Sequence, residues 1–301
     1  MSGTSFLPYA QAGSAARSSS TPVTLPGPTW PGVSSFVTTR QGGVSDAPFT
    51  SWNLGDHVGD DPARVAENRQ LLAALLPGAP LWLQQVHGTD VVDADAAAGA
   101  GAGVRATATA TSTATADADA RTDAAADASD SSIQPVPCGD AAITRTPGKV
   151  LAIMTADCLP VVLAACDGSV LGMAHAGWRG LAAGVLESTV QAMRSQHNEA
   201  PLRAWIGPAI GPTAFEVGED VRTAFLADDP DAATCFRPGA AVHKWLADLP
   251  GLARRKLHRA GVQDVTLSGH CTVTDAKHFF SYRRDGQTGR FATLAWLNGS
   301  N

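Results

Sequence analysis

Short apolar blocks bounded by turn-forming residues recur along most of the chain and read as strands. They cover Ser34 to Thr39, Leu81 to Val86, Val150 to Thr155, Pro160 to Ala165, Val170 to Ala174, Arg203 to Ile206, Val262 to Ser268 and Phe291 to Leu297. Several are apolar almost throughout, which predicts central strands covered on both faces. Between them lie helical patterns. Asp61-Pro62 predicts a cap and first turn for a helix over Arg64 to Leu76, and others are expected over Leu181 to Gln196, Glu219 to Ala227 and Gly239 to Ala260. Pro250-Gly251 is expected to interrupt the last of these, because proline lacks the amide a helix interior needs. Sequential strands joined by both tight and helical connections predict an α/β fold. The expected form is a mixed β-sheet covered by helices in a single domain over residues 29–298, not a doubly wound parallel fold.

Two segments carry neither periodicity. Residues 1–28 are rich in Ser, Ala, Thr, Gly and Pro, bury too little to offset the entropy of ordering, and are expected to be a disordered tail. In residues 94–132 Ala, Thr, Gly and Asp replace nearly every large apolar side chain. This stretch is expected to be an expanded surface loop interrupting the domain, since the cost of closing a loop grows only logarithmically with its length.

Composition narrows the function. A chain of 301 residues with 44% hydrophobic and 17% charged positions can bury a substantial core. Its formal net charge of -6, with 22 scattered Lys and Arg, offers no field for a nucleic-acid backbone. No apolar run approaches the roughly 20 residues of a membrane span, and no secretory signal pattern opens the chain, so a cytoplasmic location is expected. The five cysteines are odd in number and form no C-x-x-C pair, which argues against a disulfide framework or a zinc knuckle. A metal would have to be gathered from distant positions.

Chemistry concentrates in a few motifs that gather Gly, His, Cys, Arg and Trp at strand ends. Thr39-Arg40-Gln41-Gly42-Gly43 is followed by Trp52-Asn53-Leu54-Gly55-Asp56-His57, and Gln84-Gln85-Val86-His87-Gly88 lies farther on. Thr155-Ala156-Asp157-Cys158-Leu159-Pro160 separates two apolar blocks, so Cys158 is expected on a tight turn with its sulfur presented. His175-Ala176-Gly177-Trp178-Arg179-Gly180 closes a strand and opens a helix, and Phe280-Ser281-Tyr282-Arg283-Arg284 lies near the end. His87, Cys158 and His175 together would make a three-ligand zinc site with one open position. Spacing alone leaves a second reading open, in which Cys158 is a small buried hydrophobe and the histidines are satisfied polar residues at strand ends.

Jointly these motifs resemble the YfiH family, also called the laccase-domain or polyphenol-oxidase-like family, over about residues 34–297 except the Ala-rich insertion. The resemblance implies a single YfiH-like α/β domain carrying one Zn2+ on His87, Cys158 and His175. It further implies phosphorolysis of adenosine, inosine, guanosine and S-methylthioadenosine, with phosphate as co-substrate and an accompanying adenosine deaminase activity.

For that chemistry Arg40 and Arg179 are candidates to bind phosphate through a bidentate guanidinium, and Asn53 and Gln85 to bind ribose or base edges. Surface ion pairs and loop hydrogen bonds compete for the same four residues. Asp157 could orient a ligand imidazole or shape the turn. Arg283, Arg284 and Arg290 form either an anion site or structural pairs, and Gly177 and Gly180 read as tight turns needing positive φ. Among rival functions, a Cys-His thiol hydrolase would use Cys158 as nucleophile. Editing of peptidoglycan precursors is an alternative substrate class. Copper polyphenol oxidation fits poorly with eight His and no H-x-H pair, and the H-x-E and P-C-x-x-C pattern of zinc nucleobase deaminases is absent.

Overall fold

The computed structural model describes residues 21–96, 136–195 and 199–299. Strands β1 (Thr24–Pro26) and β2 (Val33–Thr38) precede helix α1 (Pro62–Ala73). Next come β3 (Pro80–Leu81), β4 (Val91–Asp93), β5 (Ala141–Thr144), β6 (Val150–Thr155), β7 (Leu159–Ala165) and β8 (Leu171–Ala176). Helices α2 (Trp178–Ala183) and α3 (Val185–Arg194) are followed by β9 (Leu202–Ile206), β10 (Glu216–Gly218) and α4 (Glu219–Asp228). The chain closes with β11 (Phe236–Pro238), β12 (Lys244–Ala247), α5 (Leu249–Arg259), β13 (Asp264–Leu267), the single turn α6 (Tyr282–Asp285) and β14 (Phe291–Leu297).

The strands form a five-stranded sheet ordered β1-β2-β14-β6-β3, a six-stranded sheet ordered β13-β9-β7-β8-β5-β4, and a small sheet β10-β12-β11. Pairing is mixed. β3–β6, β4–β5 and β9–β13 run parallel, and the other neighbours run antiparallel.

The period-2 alternation of each strand assigns its two faces. On β6, Leu151 and Ile153 point into one core with Val162, Ala164, Leu171 and Met173 of the six-stranded sheet. Val150, Ala152 and Met154 point the other way, into a core shared with Leu72 of α1, Trp52 and Leu54. On β7, Leu159, Val161 and Leu163 pack against Leu181, Val185, Leu186 and Val190 of α2 and α3 and Leu252 and Leu257 of α5. The result is four layers: α1, the five-stranded sheet, the six-stranded sheet, and helices α2, α3 and α5. Truncating Ile153 or Leu163 to Ala in so enclosed an interior should cost about 2–5 kcal/mol.

The mixed α/β character and the helical cover expected from sequence are present, but the strands divide between two stacked sheets instead of one. β6 up to Met154 and β7 throughout are apolar without alternation, so their pattern could not show that the turn between them changes sheet. Other differences have local causes. The block Leu81 to Val86 pairs as a strand only to Leu81, after which Gln84 makes an isolated bridge to Cys138. Leu181 to Gln196 is two helices, broken at Gly184 (φ 104), and Gln196 lies outside the described residues. Gly239 to Ala260 contains strand β12 before α5. Pro250 starts that helix instead of interrupting it, since Asp248 caps it by accepting from Gly251 N at 2.9 Å.

The first 20 positions of the expected tail lie outside the described residues. Thr24–Pro26, also assigned to the tail by composition, pairs with β2, held further by Val23 bonding Gln41 and Thr39. Likewise residues 94–96 belong to the fold and not to the insertion. Ala94 is buried and donates to Ile143 O, and the Asp95 carboxylate accepts from Thr144 Oγ1 and Arg145 N. Residues 97–132 lie outside the described residues. Among the described residues no helix is long and apolar enough to cross a membrane.

Candidate metal centre

Two of the chain segments that cross between the stacked sheets each deliver one reactive side chain. The first leaves β3 and reaches β4 through His87, which adopts φ 60. The second leaves β6 and enters β7 through Asp157, at φ 104, and Cys158. His175 comes from the adjacent strand β8, whose antiparallel register places it opposite Pro160 and Ala176 opposite Leu159. That register brings Cys158 and Gly177 side by side. The ligand atoms of His87, Cys158 and His175 all lie within 4.8 Å of one another, with His87 Nε2 3.8 Å from Cys158 Sγ. Ideal tetrahedral geometry with typical zinc bond lengths separates a nitrogen and a sulfur ligand by about 3.6 Å. The donor set and its spacing can hold one metal ion.

Gly177 makes this convergence possible. A Cβ there would stand 2.6 Å from His87 Cδ2 and 3.0 Å from Cys158 Sγ. Gly180 has the same character, since its Cβ would meet Gly88 O at 2.9 Å. The positive φ expected at these two glycines is therefore corrected: Gly177 has φ -66 and Gly180 lies within α2, and close approach, not a left-handed turn, excludes a side chain.

The organiser of the centre is Asp140, which sequence reasoning missed. Its side chain is fully buried at the start of β5, and its carboxylate accepts from the amides of Val86 (3.1 Å), His87 (2.9 Å) and Gly88 (2.6 Å). The same carboxylate accepts from His175 Nδ1 at 2.8 Å, leaving Nε2 to face the centre. One buried acid thus fixes the loop that carries one ligand and the tautomer of another. The only signal in the sequence is an acid directly before the wholly apolar run Ala141 to Ile143. Asp157, the sequence's candidate for this orienting role, does other work. Its carboxylate accepts from Thr272 Oγ1 (2.5 Å) and Arg283 N (2.6 Å), tying the segment that leads to α6 onto the centre.

Burial opposes charge on both Cys158 and His175, but they and their neighbours overcome it. Burial would raise the Cys158 thiol, yet the charge and hydrogen bond of His175, aided by His87, hold it down at about 6. Burial would lower His175, yet Cys158 and Asp140 push it up to about 9. Without a metal, the pair is a thiolate beside an imidazolium.

The other sequence candidates scatter into different roles. Asn53 is fully buried: its Nδ2 donates to Gly55 O and Asp60 Oδ2, and its Oδ1 accepts from Gly55 N and Arg290 N. No capacity remains for a ribose. Gln85 donates to Met154 O and accepts from Met154 N, both at 2.9 Å, extending the edge of β6 by a side chain in place of the lost strand pairing. Arg40 donates to Thr50 O and Ala276 O and lies over the Phe280 ring. Arg283 and Arg284 are likewise committed to backbone carbonyls, of Ala214 and Glu216 and of Thr272, Val273 and Phe279. Arg179 differs. It is exposed at the start of α2, two residues from Gly177, and stacks on Trp178.

Comparison with known proteins agrees with this architecture. Residues 34–298 match the family model described as multi-copper polyphenol oxidoreductase laccase. A purine nucleoside phosphorylase of Pseudomonas aeruginosa is 45% identical over 273 residues, covering 90% of this chain and 97% of that protein. The purine nucleoside phosphorylase YfiH of Escherichia coli is 43% identical over 275 residues, with the same two coverages, 90% and 97%. Among solved structures, a Neisseria meningitidis protein superposes with a TM-score of 0.74 at 41% identity, covering 93% of this chain and all of that one. YlmD from Geobacillus stearothermophilus gives 0.73 at 32% identity, covering 90% and 93%. Sequence motifs, layered fold and relatives coincide, and the chain belongs to the YfiH, or laccase-domain, family.

Proposed function

We propose that the chain is a zinc-dependent purine nucleoside phosphorylase acting on adenosine, inosine, guanosine and S-methylthioadenosine, with an accompanying adenosine deaminase activity. The observation that carries this reading is the convergence of His87, Cys158 and His175 with one side left open, in a family whose relatives bear the phosphorylase name. Two imidazoles and a thiolate are a good donor set for zinc, which in such a three-ligand site supplies an electrophile and a bound water of lowered pKa.

The chain's own groups prepare the rest. Asp140 keeps His175 Nε2 directed at the centre, and the backbone amides it holds keep His87 in place. Cys158 is ionised at neutral pH and needs no separate base. In phosphorolysis a phosphate oxygen bonds to the anomeric carbon as the glycosidic bond breaks, and the purine departs with the electron pair. Cations that hold phosphate and orient it for this attack lower the barrier by positioning and by charge. Arg179 is available for an anion, whereas Arg40 is largely committed to carbonyls. The five cysteines, all free, accord with a cytoplasmic enzyme.

A second reading has one specific observation in its favour. The thiolate–imidazolium pair of Cys158 and His175 is also the resting state of a thiol hydrolase. Multicopper oxidation, which the family description names, requires several clustered ligand sets, and the described residues bring together one.

Incubating adenosine and inosine with the purified protein, with and without phosphate, and separating the products tests the reading. Phosphate-dependent release of free base is expected from both nucleosides, and phosphate-independent inosine from adenosine. No base release from a zinc-loaded protein would overturn the phosphorylase assignment. Hydrolysis that survives chelation but not alkylation of Cys158 would favour the thiol hydrolase.

A further inference from the structure

Arg290 immediately precedes β14, whose first pair, Phe291 with Thr155, sets it beside the Thr155–Cys158 turn. Its seat is built from three directions. Asn53 Oδ1 accepts from Arg290 N at 2.8 Å, and Leu54 N donates to Arg290 O at 3.0 Å. The side-chain stem lies on Gly55, where a Cβ would come within 2.8 Å of Arg290 Cγ. At the far end Nη1 donates to Thr288 O (3.1 Å) and Gly289 O (3.2 Å). Both protons of that nitrogen are engaged, so the plane of the guanidinium is fixed.

The remaining edge is what matters chemically. Among the described residues, Nε and Nη2 of Arg290 donate to nothing, and neither is a sealed buried atom, unlike Nε of Arg203 and Arg222. Among the described residues no carboxylate lies within ion-pair distance of Arg290, whereas its neighbours Arg40 and Arg284 both pair with Asp285. Burial depresses the Arg290 guanidinium, and the groups that counter this are Cys158, Asp157 and Tyr282. The Asp157 oxygens each accept one bond, from Thr272 Oγ1 and Arg283 N, and neither bonds Arg290. A half-buried cation beside the His87, Cys158 and His175 cluster, rigidly held, in no ion pair and with one guanidinium edge free, can take an anion. The free Nε–Nη2 edge has the geometry that receives two oxygens of a tetrahedral oxyanion.

We propose that Arg290 is the phosphate-binding cation of this site, held by Asn53, Gly55 and two backbone carbonyls so that its Nε–Nη2 edge receives the attacking phosphate beside His87, Cys158 and His175. The choice of phosphate among oxyanions rests on the phosphorylase reading above. Arg179, exposed and stacked on Trp178, then serves at most as an outer contact. Asn53 becomes a positioning residue that acts through Arg290, which accounts for its buried and fully used amide.

The test is calorimetric titration of inorganic phosphate into the zinc-loaded full chain and into R290Q and R290K, with zinc content measured on each and the phosphate and inosine KM values determined in parallel. Phosphate affinity should fall at least about tenfold in R290Q and less in R290K, which keeps the charge but loses the fork. Zinc content and the KM for inosine should stay near wild type. R290Q binding phosphate as tightly as wild type would overturn the proposal while leaving phosphorolysis intact. So would the absence of any phosphate binding by the wild type. If phosphate binding depends on Arg290 but no base is released, the anion site stands and the phosphorylase reading falls. Should R290Q lose zinc or unfold, R290K decides. A phosphate affinity equal to wild type in a folded, zinc-replete R290K that also shows an unchanged phosphate KM would contradict the assignment.

Discussion

Asn68 and Asp140 each sit at the middle of a buried polar network, and the two networks end differently. Asn68, on α1, accepts from Val44 N and donates to Ser45 Oγ, Ser51 O and Asn53 O, and its own carbonyl receives Trp52 Nε1. Every bond closes on the protein. Asp140 receives three amides and one imidazole with equal economy, but the groups it organises keep unused capacity. His87 Nε2, His175 Nε2 and Cys158 Sγ face one another across a gap that a metal would fill. The first network is scaffold and the second is a site. What separates them is not polarity or burial, which they share, but whether lone pairs remain after the protein has satisfied itself.

Breaking the second network should therefore cost metal and activity, and breaking the first should cost stability. The largest effect is expected from Cys158→Ala or His175→Ala, which remove a ligand outright. Metal analysis should find zinc lost, and product analysis should find base release gone. Asp140→Asn leaves the ligands present but weakens their orientation, and should lower zinc affinity by about 10–100-fold in a chelator competition. Gly177→Ala drives a methyl against His87 and Cys158 and should lower zinc affinity by about tenfold, with little change in the unfolding midpoint. Asn68→Ala leaves the Val44 amide and the Asn53 carbonyl without their Asn68 partner, and should destabilise the fold by about 2–4 kcal/mol in denaturant titration while zinc per chain stays at the wild-type value. If Asn68→Ala lost zinc with its fold intact, the division into scaffold and site would fail.

A pH measurement sharpens the same contrast. The Cys158 thiol of metal-stripped protein lies near 6, below the 9.0 of an ordinary cysteine, so its thiolate persists as pH falls and is lost only around pH 6. Its alkylation rate should reach half its plateau near pH 6. His175→Ala should move that midpoint upward, because the neighbouring charge that most lowers it is gone.

The sequence carried the ligands more clearly than what holds them. His87, Cys158 and His175 stand in dense Gly-, Arg- and Trp-bearing motifs, and those motifs carried the family resemblance. Asp140 stands in no such motif. It follows the Ala-rich insertion, and its role depends on β5 lying beside β8, a pairing invisible in one dimension. Asn53 and Gln85 looked like substrate contacts because polar residues cluster in both kinds of network, and only their hydrogen bonds show that they are spent. The two-sheet sandwich was hidden for a related reason. Strands apolar on both faces state that they are central without stating which sheet they belong to. The cap at Asp61-Pro62 was legible because capping is written within a few consecutive residues, whereas the same signal at Asp248 to Pro250 lies inside a longer helical pattern and reads as an interruption.

The most direct test of the account is the zinc K-edge X-ray absorption spectrum of the purified protein. A first shell with one sulfur at about 2.3 Å and two imidazole nitrogens at about 2.0–2.1 Å, and no sulfur scatterer in Cys158→Ala, is the predicted result. A zinc shell built of oxygen and nitrogen alone, or a spectrum unchanged by Cys158→Ala, would contradict the claim that His87, Cys158 and His175 hold the metal.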